Sequence, residues 1–441
     1  MTPPTHTPDL GGLLRGYRRQ AGLSQHALAG LSAVSVRAIR DLESGRATRP
    51  RPETLRLLAD GLRIGESQRA ALALAAGSRA VDPAPAAPSR NGEVPAPVDS
   101  LVGRRCELDL LTDLVADGER LIAVTGIGGI GKTRLVLELA HRLAAEHDRA
   151  TLWVPNPSAG WHREFRWVAD RALEIVRTRL TWFLVGQLSD IHPLVRPLDR
   201  AGTVLFLDGF DDLVALGRPL STLLQSSVNL QIVLTTRDFR DVSNVQVVPT
   251  APLPVPPPGA DHEPSALARV ESARLLARHI RCARPAFVLG RANAACVAEL
   301  CRLADGVPAA LQVIGRGALV RPVEQLAAQL RRDPAALEAW RIESGLARSP
   351  LESARRAVDA LPARTRAVAT MLATLDRSWT VAEAAGATGL GADDVIPHVY
   401  TMLVAGVARR VDEAEDARFR LLRLARRALD PAGPPVRFAS R

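Results

Sequence analysis

The sequence predicts a multidomain chain: an all-α segment first, then an α/β segment on a parallel sheet, then an almost wholly helical remainder. Three observations predict it. Residues 9–77 place apolar side chains at helical spacing. Residues 120–238 alternate short apolar runs with amphipathic helical stretches, the pattern of strands buried on both faces between helices. Two breakers, AVDPAPAAPSRNGEVPAPV (80–98) and PTAPLPVPPPGADHEP (249–264), are too rich in Pro and too poor in large apolar side chains to join a core.

The bulk composition is ordinary for a water-soluble protein, with 24% charged and 47% hydrophobic residues in 441. No run of eighteen apolar residues occurs, and MTPPTHTPDL lacks a charged-then-apolar leader pattern, so a cytoplasmic protein with no membrane span is expected. Cys106, Cys282, Cys296 and Cys301 form no CxxC pair and have no His at ligand spacing, which argues for small buried hydrophobes over a metal site. No repeat of period 20 to 50 is evident, so a solenoid is not expected. Of the 57 lysines and arginines, only Lys132 is lysine. Its neighbourhood therefore needs a reason that a generic cation does not supply.

In the first segment, helices are expected over about 9–21, 24–31, 35–44, 52–63 and 66–77. Ser24 and Ser35 stand where N-caps belong, and Val36, Ile39 and Leu42 recur at helical spacing. Two short helices joined by a tight turn make a helix-turn-helix pattern, whose second helix can lie in the DNA major groove. Twelve Arg against six acids in residues 1–80 suit a polyanion partner.

The run LSQHALAGLSAVSVRAIRDLESGR, followed by PETLRLLADGL, resembles an XRE/Cro-type DNA-binding domain of a variant common in actinobacterial regulators. The resemblance implies double-stranded DNA as partner, with Gln25 at phosphate or a base edge and Ser35, Val36, Arg37 and Arg40 facing the groove. An Arg that reads guanine through two hydrogen bonds contributes about 1–3 kcal/mol of discrimination. Leu23, Leu28, Ile39 and Leu42 are expected in the core, and Glu43 in bonds within the domain. The turn carries Ala33 where the family often has Gly, and a left-handed Ala costs roughly 1 kcal/mol.

In the second segment RLIAVTG (120–126) reads as a buried strand, and GIGGIGKT runs from it into the amphipathic helix TRLVLELAHRLAAEH. This is GxxxxGK[ST] in the strand–loop–helix context the motif requires. Gly126, Gly128, Gly129 and Gly131 let backbone N–H groups converge on phosphate oxygens, and the helix N-terminus adds its positive dipole. Lys132 supplies a compact point charge where a planar guanidinium would be too broad. Arg134 is a further candidate for nucleotide contact, and Thr133 offers a hydroxyl to Mg²⁺. A second strand, TVLFLD, ends in Asp208, a candidate to hold Mg²⁺, and a third, LQIVLTTRD, ends at Arg237, where the γ-phosphate would be sensed. ATP or ADP with Mg²⁺ is the expected cofactor.

Residues 100 to 430 resemble the NB-ARC module of STAND-type signalling ATPases. LVGRRCELDLL is similar to the family's VGRE segment, which implies that Val102 and Arg104 contact adenine. DGVPAALQVIG is similar to its GLPLAL motif and places Pro308 near the base or ribose. LPARTRAVATMLATLDRSWTVAEAAGATG through ARFRLLRLARRAL resembles its winged-helix domain, with Phe419-Arg420-Leu421 where the family often has Met-His-Asp. Gly209 follows Asp208 where vigorous ATPases often carry a second acid, with Asp211 or Asp212 as substitutes, so at most slow hydrolysis is expected. The resulting boundaries are 1–79, helix-turn-helix; 80–98, linker; 99–250, P-loop domain; 251–264, linker; 265–348, helical domain; 349–430, winged helix; and 431–441, tail. Trp153, Trp161, Trp167 and Trp182 lie within thirty residues and are expected to pack.

The combined expectation is a DNA-binding transcriptional regulator whose nucleotide switch controls self-association. A nucleotide-gated signalling scaffold using its N-terminal domain for protein contacts is the alternative. A plain ATPase is a third.

Overall fold

The computed structural model describes residues 10–47, 50–62, 64, 72, 75–76, 94–97, 99–147, 149–156, 171–184, 191–211, 213–237, 244–257, 259, 263–333, 336–339, 349–375, 377–411 and 417–429.

 After residue 259 the described chain resumes at 263. The expected helix over 66–77 falls mostly outside these residues, as do most of the 80–98 linker, the 431–441 tail, Asp212, Trp161 and Trp167.

In chain order the N-terminal elements are α1 (Leu10–Gln20), α2 (Gln25–Ser32), α3 (Val36–Glu43) and α4 (Pro52–Gly61). The α/β region follows with α5 (Arg105–Ala116), β1 (Leu121–Thr125), α6 (Lys132–Glu146), β2 (Thr151–Pro155), α7 (Arg171–Leu184), α8 (His192–Arg200), β3 (Val204–Asp208), α9 (Leu213–Gln225), β4 (Gln231–Thr235) and β5 (Gln246–Pro249). The helical remainder is α10 (Pro264–Leu267), α11 (Glu271–Ala283), α12 (Arg291–Leu303), α13 (Pro308–Gly317), α14 (Val323–Arg332), α15 (Ala336–Ala339) and α16 (Pro350–Asp359). Last come α17 (Ala363–Leu372), α18 (Val381–Thr388), α19 (Ala392–Val404), the strands β6 (Ala408–Arg410) and β7 (Phe419–Leu421), and α20 (Arg423–Leu429). Among the described residues no helix is long and apolar enough to cross a membrane.

The five long-range strands form one sheet in the order β2-β3-β4-β1-β5. β1 pairs with β5 in parallel, Ile122 opposite Gln246, and β2 with β3, Thr151 opposite Val204. β1, β3 and β4 are buried at every residue, as their unbroken apolar runs require. β5 lies at the sheet edge and is mostly open to solvent.

The chain divides into two units, one of residues 1–95, 143–208 and 214–232, the other of 96–142, 209–213 and 233–441. Within the first, α1 to α4 enclose a core of Leu14, Leu28, Ile39 and Leu58, each fully buried. Ser24 Oγ accepts from the Ala27 amide (3.0 Å) and Ser35 Oγ from the Ala38 amide (3.2 Å), which starts α2 and α3 where orphan N–H groups need partners. Ala33, between them, takes φ 54°, ψ 22°. The left-handed turn expected of this residue is therefore present, and it carries the Cβ penalty. Trp153 is fully buried and stacks on Phe206 with ring centroids 5.8 Å apart, a packing role.

Within the second unit one apolar cluster runs from Ile127 and Ile130 through Leu276, Leu300 and Leu311 to Ala354, Met402 and Leu424. Thr380 and Glu383 form a reciprocal cap at the start of α18, and Gly389 ends it at φ 70°. α18 and α19 thus make a second helix–turn–helix. The antiparallel β6–β7 hairpin follows, with Arg409 opposite Arg420. Trp379 bridges to β7 through both backbone bonds with Phe419 (2.8 and 2.7 Å).

Candidate functional site

β1 delivers the chain into the loop Gly126–Gly131, and α6 starts at Lys132. Gly126, Gly129 and Gly131 take φ of 132°, 83° and 102°, conformations that side chains oppose. Lys132 is buried inside the turn. Its Nζ donates to the carbonyl oxygens of Gly126 (2.6 Å) and Ile127 (3.0 Å). The loop therefore wraps the ammonium closely, which is the steric reason a planar guanidinium does not suit this position. Thr133 lies in the first turn of α6.

Three other parts of the same unit close on the loop. The Ala309 amide donates to Gly129 O (3.1 Å), and a methyl on Gly129 would stand 2.5 Å from Ala309 Cβ. Pro308, beside it, occupies the first position of α13, where its missing N–H costs nothing. A methyl on Gly128 would meet Ser353 Oγ at 2.7 Å, which brings α16 to the loop. A methyl on Gly406, in the turn after α19, would stand 2.8 Å from the Ile127 amide nitrogen.

Arg104 is buried at φ 69°, with Nη1 donating to Glu107 Oε1 (2.7 Å) and Nη2 to Ile130 O (3.1 Å). Arg104, expected at adenine, directs its guanidinium to the backbone of the glycine-rich loop. Val102 is half-buried against the apolar cluster. Arg134 bonds Asp99 through Nε (3.3 Å) and Nη2 (2.6 Å, to the carbonyl), and Glu138 through Nη1 (2.7 Å). All three of its guanidinium nitrogens are engaged by these groups.

Arg237 Nε pairs with Asp211 Oδ2 (3.2 Å), and the Arg237 amide donates to Asp211 Oδ1 (3.0 Å). A methyl on Gly128 would lie 3.6 Å from Arg237 Nη1, so this arginine reaches the glycine-rich loop. Asp211, considered as a substitute acid for polarising water, has both oxygens on Arg237. The Gly209 amide donates to Thr235 Oγ1 (2.8 Å), linking the ends of β3 and β4. Asp208 ends β3 fully buried, and its carbonyl accepts from the Asn156 amide (2.8 Å).

Asp305, just before Pro308, was not singled out by sequence. It is buried at φ 52°, and its Oδ2 accepts from the Leu424 amide (3.2 Å) at the start of α20. Burial pushes its carboxyl up to about 6, against the opposing pull of Arg409 and of the bonds from residues 423 and 424.

On the N-terminal domain, Ser35, Arg37 and Arg40 are exposed and Val36 is half-buried. The Arg37 side chain is 93% exposed, with Asp41 Oδ2 at 3.9 Å. Gln25, expected at phosphate or a base edge, bonds within the domain. Its Nε2 donates to Glu43 Oε2 (2.8 Å), and Arg18 holds both Glu43 oxygens (2.6 and 2.9 Å). Burial pushes the Glu43 carboxyl up, but the bonds from Arg18 and Gln25, with the charge of Arg15, hold it below its ordinary value. Gln25 thus locks the start of α2 to the end of α3.

Residues 9–72 match the helix-turn-helix domain family. An uncharacterised protein of Mycobacterium tuberculosis is 28% identical over 232 residues, 52% of this chain and 53% of that one, and a Mycobacterium bovis protein matches equally. The chain spans about half the length of these curated relatives. Among solved structures, a STAND protein with a tetratricopeptide repeat sensor from Pyrococcus horikoshii is 13% identical over 78% of this chain and 44% of its own, with a TM-score of 0.31. The Walker-type ATPase of Pyrococcus abyssi is 14% identical over 75% and 96%, with a TM-score of 0.38.

Proposed function

We propose that the chain is an ATP/ADP-binding, DNA-binding transcriptional regulator in which a nucleotide switch of the NB-ARC type controls self-association or DNA engagement. The observation that carries the reading is the closure on the Lys132 loop of Ala309, Ser353 and the Gly406 turn. A phosphate in that loop would meet the helical region and the C-terminal winged helix as well as the P-loop. Exchange of one nucleotide for another would then favour one packing of these parts over another.

The donor set fits a nucleoside di- or triphosphate. The loop provides left-handed glycines and a buried ammonium, and Arg237 reaches the same loop. Thr133 and Asp208 are the residues that would hold Mg²⁺, which would neutralise phosphate charge when bound. Val102 and Pro308 are assigned to the adenosine end. Hydrolysis is slow in this reading, because Gly209 offers no acid and Asp211 is engaged by Arg237. Arg37 and Arg40 read base edges, with Ser35 and Val36 beside them in the groove. Linked copies of the DNA-binding domain would gain about 10²–10⁴ in apparent affinity when the spacing fits.

The test is selection of bound duplexes from a random pool, run with ATP and with ADP, alongside sizing of the protein in each nucleotide. An enriched sequence with nucleotide-dependent recovery supports the regulator. Equal affinity for random and selected duplexes, with identical sizes in both nucleotides, overturns it.

A further inference from the structure

The second unit holds a cavity of about 370 Å³ that none of the residues Gly126–Lys132 lines. It lies between the segment leading into α5, represented by Ser100 and Val102, and the helix α11. Its volume is in the range of small-molecule sites. α11 sends Arg274, Arg278 and Arg281 to it, spaced four and three apart and so stacked on one helical face. Ala273 and Ala277 of the same helix also line it, and their small side chains leave the space open.

The charge around the cavity is unbalanced. Among the described residues Arg278 is the one of the three with a carboxylate partner: it reaches Asp99 Oδ2 (3.4 Å) and donates to Ser100 O and Oγ (both 3.1 Å). Asp99 is itself shared with Arg134. Glu271, on α11, turns towards Gly103, where a methyl would meet its Cγ at 2.8 Å. Among the described residues, neither Arg274 nor Arg281 has a carboxylate within ion-pair distance. Three guanidiniums on one face would repel one another, and an anion among them relieves that repulsion while accepting several hydrogen bonds.

We infer that this cavity is a second anion site, apart from the glycine-rich loop although Val102 of the proposed adenosine end also lines it, for a small molecule bearing a phosphate or phosphoanhydride group. Arg274 and Arg281 provide the charge, Arg278 and Ser100 the fixed donors. An occupant would tie the 99–104 segment to α11. That segment includes Arg104, which holds Ile130 of the loop, so occupancy would also bear on the loop's conformation.

Inorganic pyrophosphate, titrated calorimetrically into the full chain saturated with ADP, tests the assignment. The expected result is one binding event that survives Lys132→Ala and weakens at least tenfold in the Arg274→Gln/Arg281→Gln double variant. Both arginines are exposed, and retained ADP binding in the double variant shows that its fold is intact. No binding to the unmodified protein overturns the proposal. So does binding that Lys132→Ala removes and the double variant keeps, which would place the probe in the loop. Loss of affinity for random duplex DNA in the double variant, with no pyrophosphate bound, would make the arginine row a nucleic-acid contact and also overturn it. Failure of ADP to bind the unmodified protein would count against the nucleotide reading alone; the double variant still reports on the cavity, with an unchanged thermal melt as the check on its fold.

Discussion

The described residues include two helix–turn–helix arrangements of opposite surface character. In the first, α3 presents exposed Arg37 and Arg40, and its Ser35 cap is open to solvent. In the second, α19 begins with Asp393 and Asp394 and exposes Ile396 (49%) and Tyr400 (60%). The backbone plan is similar in both, a capped helix and a left-handed turn at Ala33 or Gly389. A phosphate backbone attracts the first surface and is repelled by the second. Local geometry is therefore shared by the two, and the charge on the exposed face is what sets them apart as partners for a polyanion. The second arrangement instead runs into Gly406, whose turn lies against the Ile127 backbone of the loop.

Their buried acids make the same contrast. Glu43 in the first region is held by Arg18 and Gln25 and stays ionised. Asp305, which caps α20 behind the second, has less compensation for its burial and is pushed up. The two regions should therefore respond to pH with opposite sign.

The largest expected effect separates nucleotide from DNA. Lys132→Ala should abolish retention of ADP through purification while non-specific duplex binding by the N-terminal region persists; undiminished co-purifying nucleotide would remove the loop from the switch. Next, Arg37→Ala with Arg40→Ala should cost about 1–3 kcal/mol per base-reading contact and relax specificity. Asp393→Asn and Tyr400→Ala should leave duplex affinity unchanged, and a comparable loss from them in a salt-controlled titration would erase the contrast.

Glu43→Gln should destabilise the N-terminal domain by about 3 kcal/mol, because Arg18 loses its buried partner. As a carboxyl held below its ordinary value, Glu43 contributes stability above pH about 4.5 that is lost as pH falls through its lower folded value. Urea midpoints across acid pH, with and without the substitution, measure this. Asp305 has the reverse sign. Its stability contribution is fully present below 3.8 and declines as pH rises towards about 6, a loss of up to about 3 kcal/mol. Asp305→Asn should flatten that slope and raise the midpoint at pH 7. The smallest effects come from the turns: Ala33→Gly should stabilise, and Gly389→Ala destabilise, each by about 1 kcal/mol in thermal melts.

Much of the fold was legible because its signals are local. The helical spacing of Val36, Ile39 and Leu42, the serine caps and the apolar runs of β1, β3 and β4 each lie within a few residues. Two short strands were harder to read. TLWVP of β2 and QVVP of β5 are four or five residues long, with no motif attached to either. The glycine-rich loop was legible as a motif, whereas the partners that close on it were not. Ser353 and Gly406 are more than two hundred residues away, and nothing in their own neighbourhoods announces a contact with the loop.

By itself, the sequence determined the multidomain class, the helix-turn-helix and the strand–loop–helix around the lone lysine, since periodicity, capping and glycine spacing act over one or two turns of chain. Only the tertiary structure decided where the polar groups went. Gln25 serves Glu43, Arg104 serves Ile130, Arg237 serves Asp211, and Asp305 caps α20. Each of those bonds joins residues distant in sequence. Which donor finds which acceptor depends on the packing that brings them within about 3 Å, where a hydrogen bond forms.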